Sequence, residues 1–552
     1  MLSVVVPVHN VLRYLDICLE SLAGQTYRDL DVVLVDDGST DGSGAVAAAW
    51  VARDPRFRLV SQANAGLGAA RNAGAAVARG EYLAFVDADD VLPSYAFEVL
   101  VGALEKTGSD FATGDVRLLT DGVLTPSPLH RGTHRETRLA VDPRTARYLV
   151  YDRLACNKVW RRSFWGETRF PEGVHYEDIP VTVPLYGRAR AVDVVGLPVY
   201  YWRQRPPGDP SISQRLAEQR NLEDRFAAVS TARRELPPDL ATWYAETALQ
   251  SDLRLVLEVL PDVDEAYRAR FRKLASAFVA DIDPGVLDRL PGRLATAWRL
   301  ALGDDLDRLV ALVRDVHASG LAGMAAWRDP AHPVSVTEVR WSGDDRLRLR
   351  VAGARSPLSM LWLHQGGAPH RVVATAVSGT ASLHASRLAP GEWTVNIAPP
   401  RMLVRVTDPP PPLPSRWIDP ATRVTPLARG GVLRLLVDRP TVYATVARQD
   451  GTDLCVEGVG RLEPDVLLHL ELAPGIPSRS YPVVPAGDRW SVRLPLADLA
   501  APPLALPAEP PAVWRAALGA SSDPLLGGPD FTGAVIGAVV VAADARGVLT
   551  IT

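Results

Sequence analysis

Leu2-Ser3-Val4-Val5-Val6-Pro7-Val8-His9-Asn10 is an apolar run that turns polar at its end, and the same change of texture occurs twice more. Val32 to Val35 gives way to Asp36-Asp37-Gly38-Ser39, and Tyr82 to Val86 gives way to Asp87-Ala88-Asp89-Asp90. Short continuous apolar runs predict buried strands. The Ala-rich stretches between them predict helices, the alternation that builds a parallel sheet crossed by helices. In an open parallel sheet the carboxyl ends of the strands share one edge, and ligands bind in the crevice beside it. The three polar sets, far apart in sequence, are therefore expected to meet in a single crevice.

Around this core the chain is long, 552 residues, which allows about three or four domains. Hydrophobic residues make up 47% and charged residues 22%, which excludes disorder, collagen and coiled coil as descriptions of the whole. A net charge of −4, from 60 basic and 64 acidic residues, gives no global cationic field for nucleic acid. Only three of the basic residues are lysines, Lys106, Lys158 and Lys273, and no function follows from that. Cys18, Cys156 and Cys455 are too few and too scattered for a disulfide framework or a Cys-rich zinc site, so a reducing compartment is expected. The first residues read as a strand and not as a signal peptide. The late apolar stretch Ala534 to Ala543 is about half of what a membrane-spanning helix needs. A soluble cytoplasmic chain without a transmembrane segment is expected, with peripheral contact at the inner face of the plasma membrane left open.

Four segments are read along the chain. Residues 1–213 form the α/β part. Residues 214–330 form a helical linker, in which Leu253, Leu255, Val256, Val259 and Leu260 recur at helical spacing and Pro237-Pro238 breaks the pattern. After Pro330, alternation such as Arg346-Leu347-Arg348-Leu349-Arg350-Val351 predicts all-β immunoglobulin-like sandwiches. The proline-rich run Pro409 to Pro414 acts as a stiff spacer between a first sandwich, 331–408, and a second, 415–552, which is a candidate for oligomerisation.

Each motif at the crevice has a bland and a chemical reading. Asp36-Asp37-Gly38-Ser39-Thr40-Asp41 reads as a turn and a capped helix start, with Asp41 as cap, but Asp37 also suits a ring N–H or a ribose. Asn64-Ala65-Gly66-Leu67-Gly68-Ala69-Ala70-Arg71-Asn72 opens a helix. Its small residues suit close packing; its amino end, with Arg71, also suits a diphosphate. Gly66-x-Gly68 does not follow the first strand, so the dinucleotide fingerprint of a nicotinamide enzyme is missing. Clustered carboxylates at Asp87 and Asp89 repel one another unless a cation neutralises them, and hard oxygen ligands favour Mg²⁺ or Mn²⁺. His175-Tyr176-Glu177-Asp178-Ile179-Pro180 reads as a helix start whose dipole keeps Asp178 ionised at neutral pH, ready to accept a proton near a sugar C1. Tyr200-Tyr201-Trp202-Arg203-Gln204-Arg205 and Ser211-Ile212-Ser213 read either as a strand with a polar loop or as a segment that closes over phosphates or an acceptor.

Taken together, Val4 to Asn10, Val35 to Asp41, Asn64-Ala65-Gly66, Arg71-Asn72 and Phe85 to Asp90 resemble the family 2 inverting glycosyltransferases with a GT-A (Rossmann-like) fold. The resemblance covers about residues 1–215, and Glu177-Asp178 falls where that family carries its catalytic base. It implies transfer of a sugar from a UDP-sugar donor with inversion at C1, assisted by Mn²⁺ or Mg²⁺. By residue it implies that Pro7, His9, Asp37 and Asn64 border the nucleoside, Arg71 meets the diphosphate, Asp87 and Asp89 serve the ribose and metal, and Asp178 is the base. His9 stands where the family usually has Tyr. Glu177, Arg203, Arg205, Ser211 and Ser213 are assigned to the acceptor or to a closing loop.

The larger layout is similar to wall teichoic acid poly(ribitol phosphate) N-acetylglucosaminyltransferases with C-terminal tandem β-sandwiches. That similarity implies UDP-N-acetylglucosamine as donor, a phosphate-rich or glycan polymer as acceptor, and a homo-oligomer such as a trimer. Arg161, Arg162, Arg203 and Arg205 are the candidates for meeting acceptor phosphates. Three rivals are a carbohydrate-binding or scaffold protein with a degenerate transferase domain, a transferase acting on another capsule or exopolysaccharide acceptor, and a processive synthase. The first is opposed by intact Asp87, Asp89 and Asp178. The last normally needs membrane helices.

Overall fold

The computed structural model describes residues 1–318 except 131, 207 and 304, then Trp327 and, from residue 335 onward, the strands given below with parts of their connections. Two compact units divide at Asp329/Pro330.

The first unit is built on one mixed sheet. Its parallel half consists of β1 (Leu2–Val8), β2 (Leu30–Asp37), β3 (Phe57–Gln62) and β4 (Tyr82–Phe85) in the order β3-β2-β1-β4. All seven residues of β1 are buried, as expected of a central strand covered on both faces. The helices that cross between these strands are α1 (Leu12–Ala23), α2 (Ser43–Arg53) and α3 (Leu67–Ala76). In α1, Tyr14, Leu15, Cys18, Leu19 and Leu22 bury one face at three-to-four-residue spacing. Asp41, read as a cap, accepts from the backbone N–H groups of both Leu12 and Ser43 and so fixes the starts of α1 and α2.

The sheet continues through α4 (Ala96–Thr107), β5 (Phe111–Thr120), β6 (Val123–Pro126), β7 (Arg138–Val141), β8 (Lys158–Arg161), α5 (Arg162–Trp165), α6 (Ile179–Arg188) and β9 (Val192–Arg203). β8 pairs antiparallel with β4 and β5, while β9 runs parallel to β5. This is the expected α/β architecture, with an antiparallel insertion that the sequence did not signal.

The expected helical linker is present as α7 (Gln219–Arg234), α8 (Pro238–Gln250), α9 (Arg254–Val259), α10 (Glu265–Ala280), α11 (Val286–Arg289), α12 (Gly292–Leu302) and α13 (Leu306–Ala318). Its core is continuous with that of the sheet. One cluster runs from Val5, Phe85 and Trp160 through Tyr186 to Phe226, Phe271 and Trp298. Segments 1–213 and 214–318 therefore form one body, and a helix such as α7 is fixed against α6.

Among the described residues the second unit is built of strands, in two sheets of eleven strands each. In the first of them Gly391–Ala398 pairs with Leu358–Gln365 on one side and with Val432–Asp438 on the other. Strands on both sides of the proline-rich run thus enter one sheet, so the border placed at 408/415 runs through that sheet. Of the run itself, 409–412 and 414 lie outside the described residues. The second sheet contains Tyr443–Asp450, Asp453–Val459 and Arg489–Pro495 among its strands.

Candidate active site

The carboxyl ends of β1, β2, β3 and β4 open on one cleft of about 940 Å³. Its walls include Pro7, His9, Asp37, Asn64, Arg71, Asp87, Asp89, Glu177, Asp178, Arg205, Ser211 and Ser213; of the expected residues, Arg203 and the arginines Arg161 and Arg162 are not among them. Convergence of the three polar sets is thus a property of the fold.

At the ends of β1 and β2, His9 Nδ1 lies 2.8 Å from the carbonyl oxygen of Asp37, an acceptor, so Nδ1 carries the proton. The other ring nitrogen, Nε2, then accepts from the side-chain amides of Asn64 at 3.1 Å and Asn10 at 3.3 Å. Asp37 lines the cleft and also has local partners. Its carboxylate is buried and already accepts from Gln62 Nε2 and the backbone N–H groups of Ala65 and Gly66, at 2.8, 2.8 and 2.9 Å. It holds the 64–66 turn in shape, and a ring N–H would meet a carboxylate with most of its capacity in use.

The next edge is acidic. Asp87 Oδ1 accepts from Arg71 at 2.7 Å, and Oδ2 from the thiol of Cys156 at 3.2 Å. Asp89 Oδ2 pairs with Arg205 Nε at 2.7 Å, and its carbonyl accepts from Arg203 Nε at 2.6 Å. Arg203 therefore sits behind the acidic edge and does not face the cleft. Burial raises the Asp89 carboxyl above its usual range, opposed by Arg205 and reinforced by Asp87. Asp90 is buried between the Tyr200 hydroxyl, at 2.6 Å, and the Arg203 backbone N–H, at 2.7 Å. Tyr14 lies under both Arg203 and Arg205, and its hydroxyl donates to Asp209.

The third wall is the segment before α6. Asn72 clamps it, donating to the Phe170 carbonyl at 2.9 Å and accepting from the Phe170 N–H at 2.8 Å. At Gly68 any Cβ would collide with the Pro171 carbonyl, so the second glycine of Gly66-x-Gly68 lets α3 touch this segment. Arg71 lines the cleft and is already engaged by carboxylates. Its guanidinium is 2% exposed and pairs with Asp87 and Glu177, which overcome the cost of burial and hold its charge. The cation expected to meet a diphosphate thus neutralises two carboxylates.

Glu177 is buried on Arg71, whereas Asp178, at the N-cap of α6, is partly exposed and makes no capping bond. Burial, with the Glu177 charge beside it, raises the Asp178 carboxyl to about 7, against the opposing pull of Arg71 and Arg153. This corrects the expectation that the helix dipole keeps Asp178 ionised, because a partial charge at a helix end is outweighed by desolvation and a neighbouring carboxylate. A carboxyl titrating near neutrality is better suited to proton transfer than an ordinary aspartate.

Ser211 and Ser213 lie on the far wall. The Ser211 hydroxyl bonds Gln214 Oε1 at 2.9 Å and closes a capping box over the turn Ile212–Gln214. Arg161 and Arg162, suggested for acceptor phosphates, do not line the cleft. Arg161 donates to the carbonyls of Ser109 and Leu104, and Arg162 to that of Gly80. The arginines that line it besides Arg71 and Arg205 are Arg153 and, from segment 214–330, Arg215, Arg220 and Arg225.

Among the described residues no three His, Cys, Asp or Glu side chains form a ready metal cage. The residues present still fit a hard divalent ion in the form that uses one or two carboxylates plus phosphate oxygens of the substrate, with Asp89, 16% exposed, and Asp87, 31% exposed, as donors. Sequence reasoning assigned no separate role to Cys156, Asp90 or Asn72, and placed Tyr200 only within a closing segment, not as the partner of Asp90. Only Tyr200 and Asp90 carried a local signal, an aromatic cluster and a third adjacent carboxylate.

A family model described as glycosyl transferase family 2 matches residues 3–165. The uncharacterized glycosyltransferase EpsJ of Bacillus subtilis (strain 168) is 30% identical over 238 residues, 41% of this chain and 68% of EpsJ. The glycosyltransferase GlyG of Streptococcus pneumoniae serotype 4 is 40% identical over 116 residues, 21% of this chain and 38% of GlyG. Among solved structures, S. aureus TarS is similar at a TM-score of 0.50 and 15% identity, over 89% of this chain and 95% of that chain, a likeness of fold.

Proposed function

The chain belongs to glycosyl transferase family 2, and from that premise we propose that it is an inverting transferase that moves a sugar from a UDP-linked donor onto an acceptor hydroxyl, with Asp178 as base. The observation that carries this reading is the state of Asp178, a carboxyl raised to about 7 on the wall of the cleft that also holds His9, Asn64, Asp87 and Asp89. The cleft volume, about 940 Å³, is at the upper end of small-ligand sites and suits a nucleotide sugar.

In the proposed reaction the acceptor oxygen attacks the sugar C1 from the side opposite UDP. The new C1–O bond forms as the C1–O bond to the diphosphate breaks, and the acceptor proton passes to Asp178. Arg71 pairs with Glu177 and Asp87 and opposes the rise that burial gives the Glu177 carboxyl, and Glu177 in turn raises Asp178. Asp89 and Asp87 would hold a divalent cation, which when bound supplies positive charge to the leaving diphosphate. Arg205, paired with Asp89, places a guanidinium at that edge for a diphosphate to meet. Holding the two reactants in line supplies as much of the rate as proton transfer does.

In its finer form the proposal names UDP-N-acetylglucosamine as donor and a phosphate-rich cell-wall polymer such as poly(ribitol phosphate) as acceptor. The layout of an α/β domain, a helical region and two β sheets supports it. A donor screen by UDP release, with Mn²⁺ and water as acceptor, tests the reading. Asp178→Ala is expected to keep UDP binding and lose release, and Asp89→Ala to lose metal-dependent binding as well. Equal release by wild type and Asp178→Ala would remove the base from the mechanism.

A further inference from the structure

Asn221 lies in the first turn of α7, in the helical region, and is 1% exposed. Both ends of its amide are used across the cleft. Oδ1 accepts from the Tyr176 hydroxyl at 2.6 Å, and Nδ2 donates to the Ile212 carbonyl at 2.8 Å. Resting on the reading of Asp178 as base, we propose that Asn221 is a positioning residue for the reaction, joining the Tyr176 segment and the Ile212–Gln214 turn so that one buried amide sets both walls of the cleft.

Neither wall would hold this arrangement without support. Tyr176 has φ of 59°, the left-handed region, which for an aromatic residue costs on the order of 1–3 kcal/mol and persists only when its surroundings impose it. The restraint comes from α7. Besides Asn221, Arg225 donates to the Tyr176 hydroxyl and its guanidinium lies 4.2 Å over the ring. Tyr176 directly precedes Glu177 and Asp178, so its backbone angle aims the base.

On the other side, Ile212 begins the turn whose Gln214 donates through Nε2 to the Arg205 carbonyl at 2.9 Å, and Arg205 pairs with Asp89. A chain of contacts therefore runs from the base through Tyr176, Asn221, Ile212, Gln214 and Arg205 to the acidic edge. Asn221 is the link at which it passes through the helical region. A side-chain amide is suited to this place because it accepts and donates without charge. Aspartate has nearly the same shape and accepts from Tyr176, but it cannot donate to Ile212.

The test uses the full chain with UDP-N-acetylglucosamine, Mn²⁺ and water as acceptor, comparing wild type, Asn221→Ala, Asn221→Asp and Asp178→Ala. Both Asn221 variants are expected to lower kcat for UDP release about tenfold while KM stays within about threefold, the signature of misplaced groups and not of lost donor binding. UDP titration calorimetry should give wild-type stoichiometry for each, showing that the folded population is unchanged. Wild-type kcat for Asn221→Asp would overturn the proposal, because the link to Ile212 would then do nothing. A fall in activity matched by a fall in binding stoichiometry, or a KM effect alone, would overturn it too. If Asp178→Ala is as active as wild type, the reading of the base fails and this inference with it; if Asp178→Ala is inactive and Asn221→Asp is not, only this inference fails.

Discussion

Glu177 and Asp178 are adjacent carboxylates in opposite situations. The first is buried on a guanidinium, so that burial raises its carboxyl and Arg71 opposes the rise, and the second, with no cation in contact, is raised by burial and by its neighbour to about 7. Turnover should therefore fall as pH is lowered through about 7, with the acid limb of the kcat profile lost in Asp178→Asn along with the activity. Stability should move the other way. A folded carboxyl at about 7 lies above the unfolded value of about 3.9, so between those pH values the native state binds the extra proton and loses stability as pH rises. Asp178→Asn removes this penalty, and calorimetric melts should show it more stable than wild type by about 1–3 kcal/mol at pH 8, with little difference at pH 4. A wild-type Tm for Asp178→Asn at pH 8 would contradict the assignment. Chelation tests the acidic edge. EDTA should abolish UDP release and Mn²⁺ restore it in the wild type, whereas Asp89→Ala should lose Mn²⁺ binding measured by titration.

At the scale of elements, the site depends on how closely α3 approaches the segment before α6. Gly68→Ala forces a methyl against the Pro171 carbonyl, and because backbone cannot yield as a flexible side chain does, the base segment must shift. The expected outcome is a loss of about a hundredfold in kcat with a Tm lowered by several degrees, read by UDP release and thermal melts. The same elements show what the sequence could and could not say. β1, β2 and β4 and the polar residues after them were legible because a buried parallel strand has a local signature, a continuous apolar run that ends abruptly. The role of Arg71 was not legible, because its partner Glu177 is over a hundred residues away and a guanidinium looks alike whether it awaits a phosphate or already holds carboxylates. The local contacts of Asp37 were not legible for the same reason: three donors from the 62–66 turn meet it only once β3 is beside β2. The ionisation of Asp178 was read from a helix dipole, a local feature, and overturned by burial, which is not local.

For the whole molecule, all the cleft residues lie between Pro7 and Leu255, within the first compact unit, and the helical region shares that unit's core. A chain ending at 329 should therefore release UDP at a rate within about threefold of the full protein, since neither base nor donor edge is removed. No helix among the described residues is long and apolar enough to cross a membrane. The proposed displacement uses one base opposite a departing nucleoside diphosphate, and the stereochemistry of the released sugar reports on that without knowledge of the natural acceptor. With UDP-α-N-acetylglucosamine, Mn²⁺ and water, proton NMR of the first product, recorded before mutarotation, should show the β anomer; the α anomer appearing first would contradict the single displacement and the role assigned to Asp178.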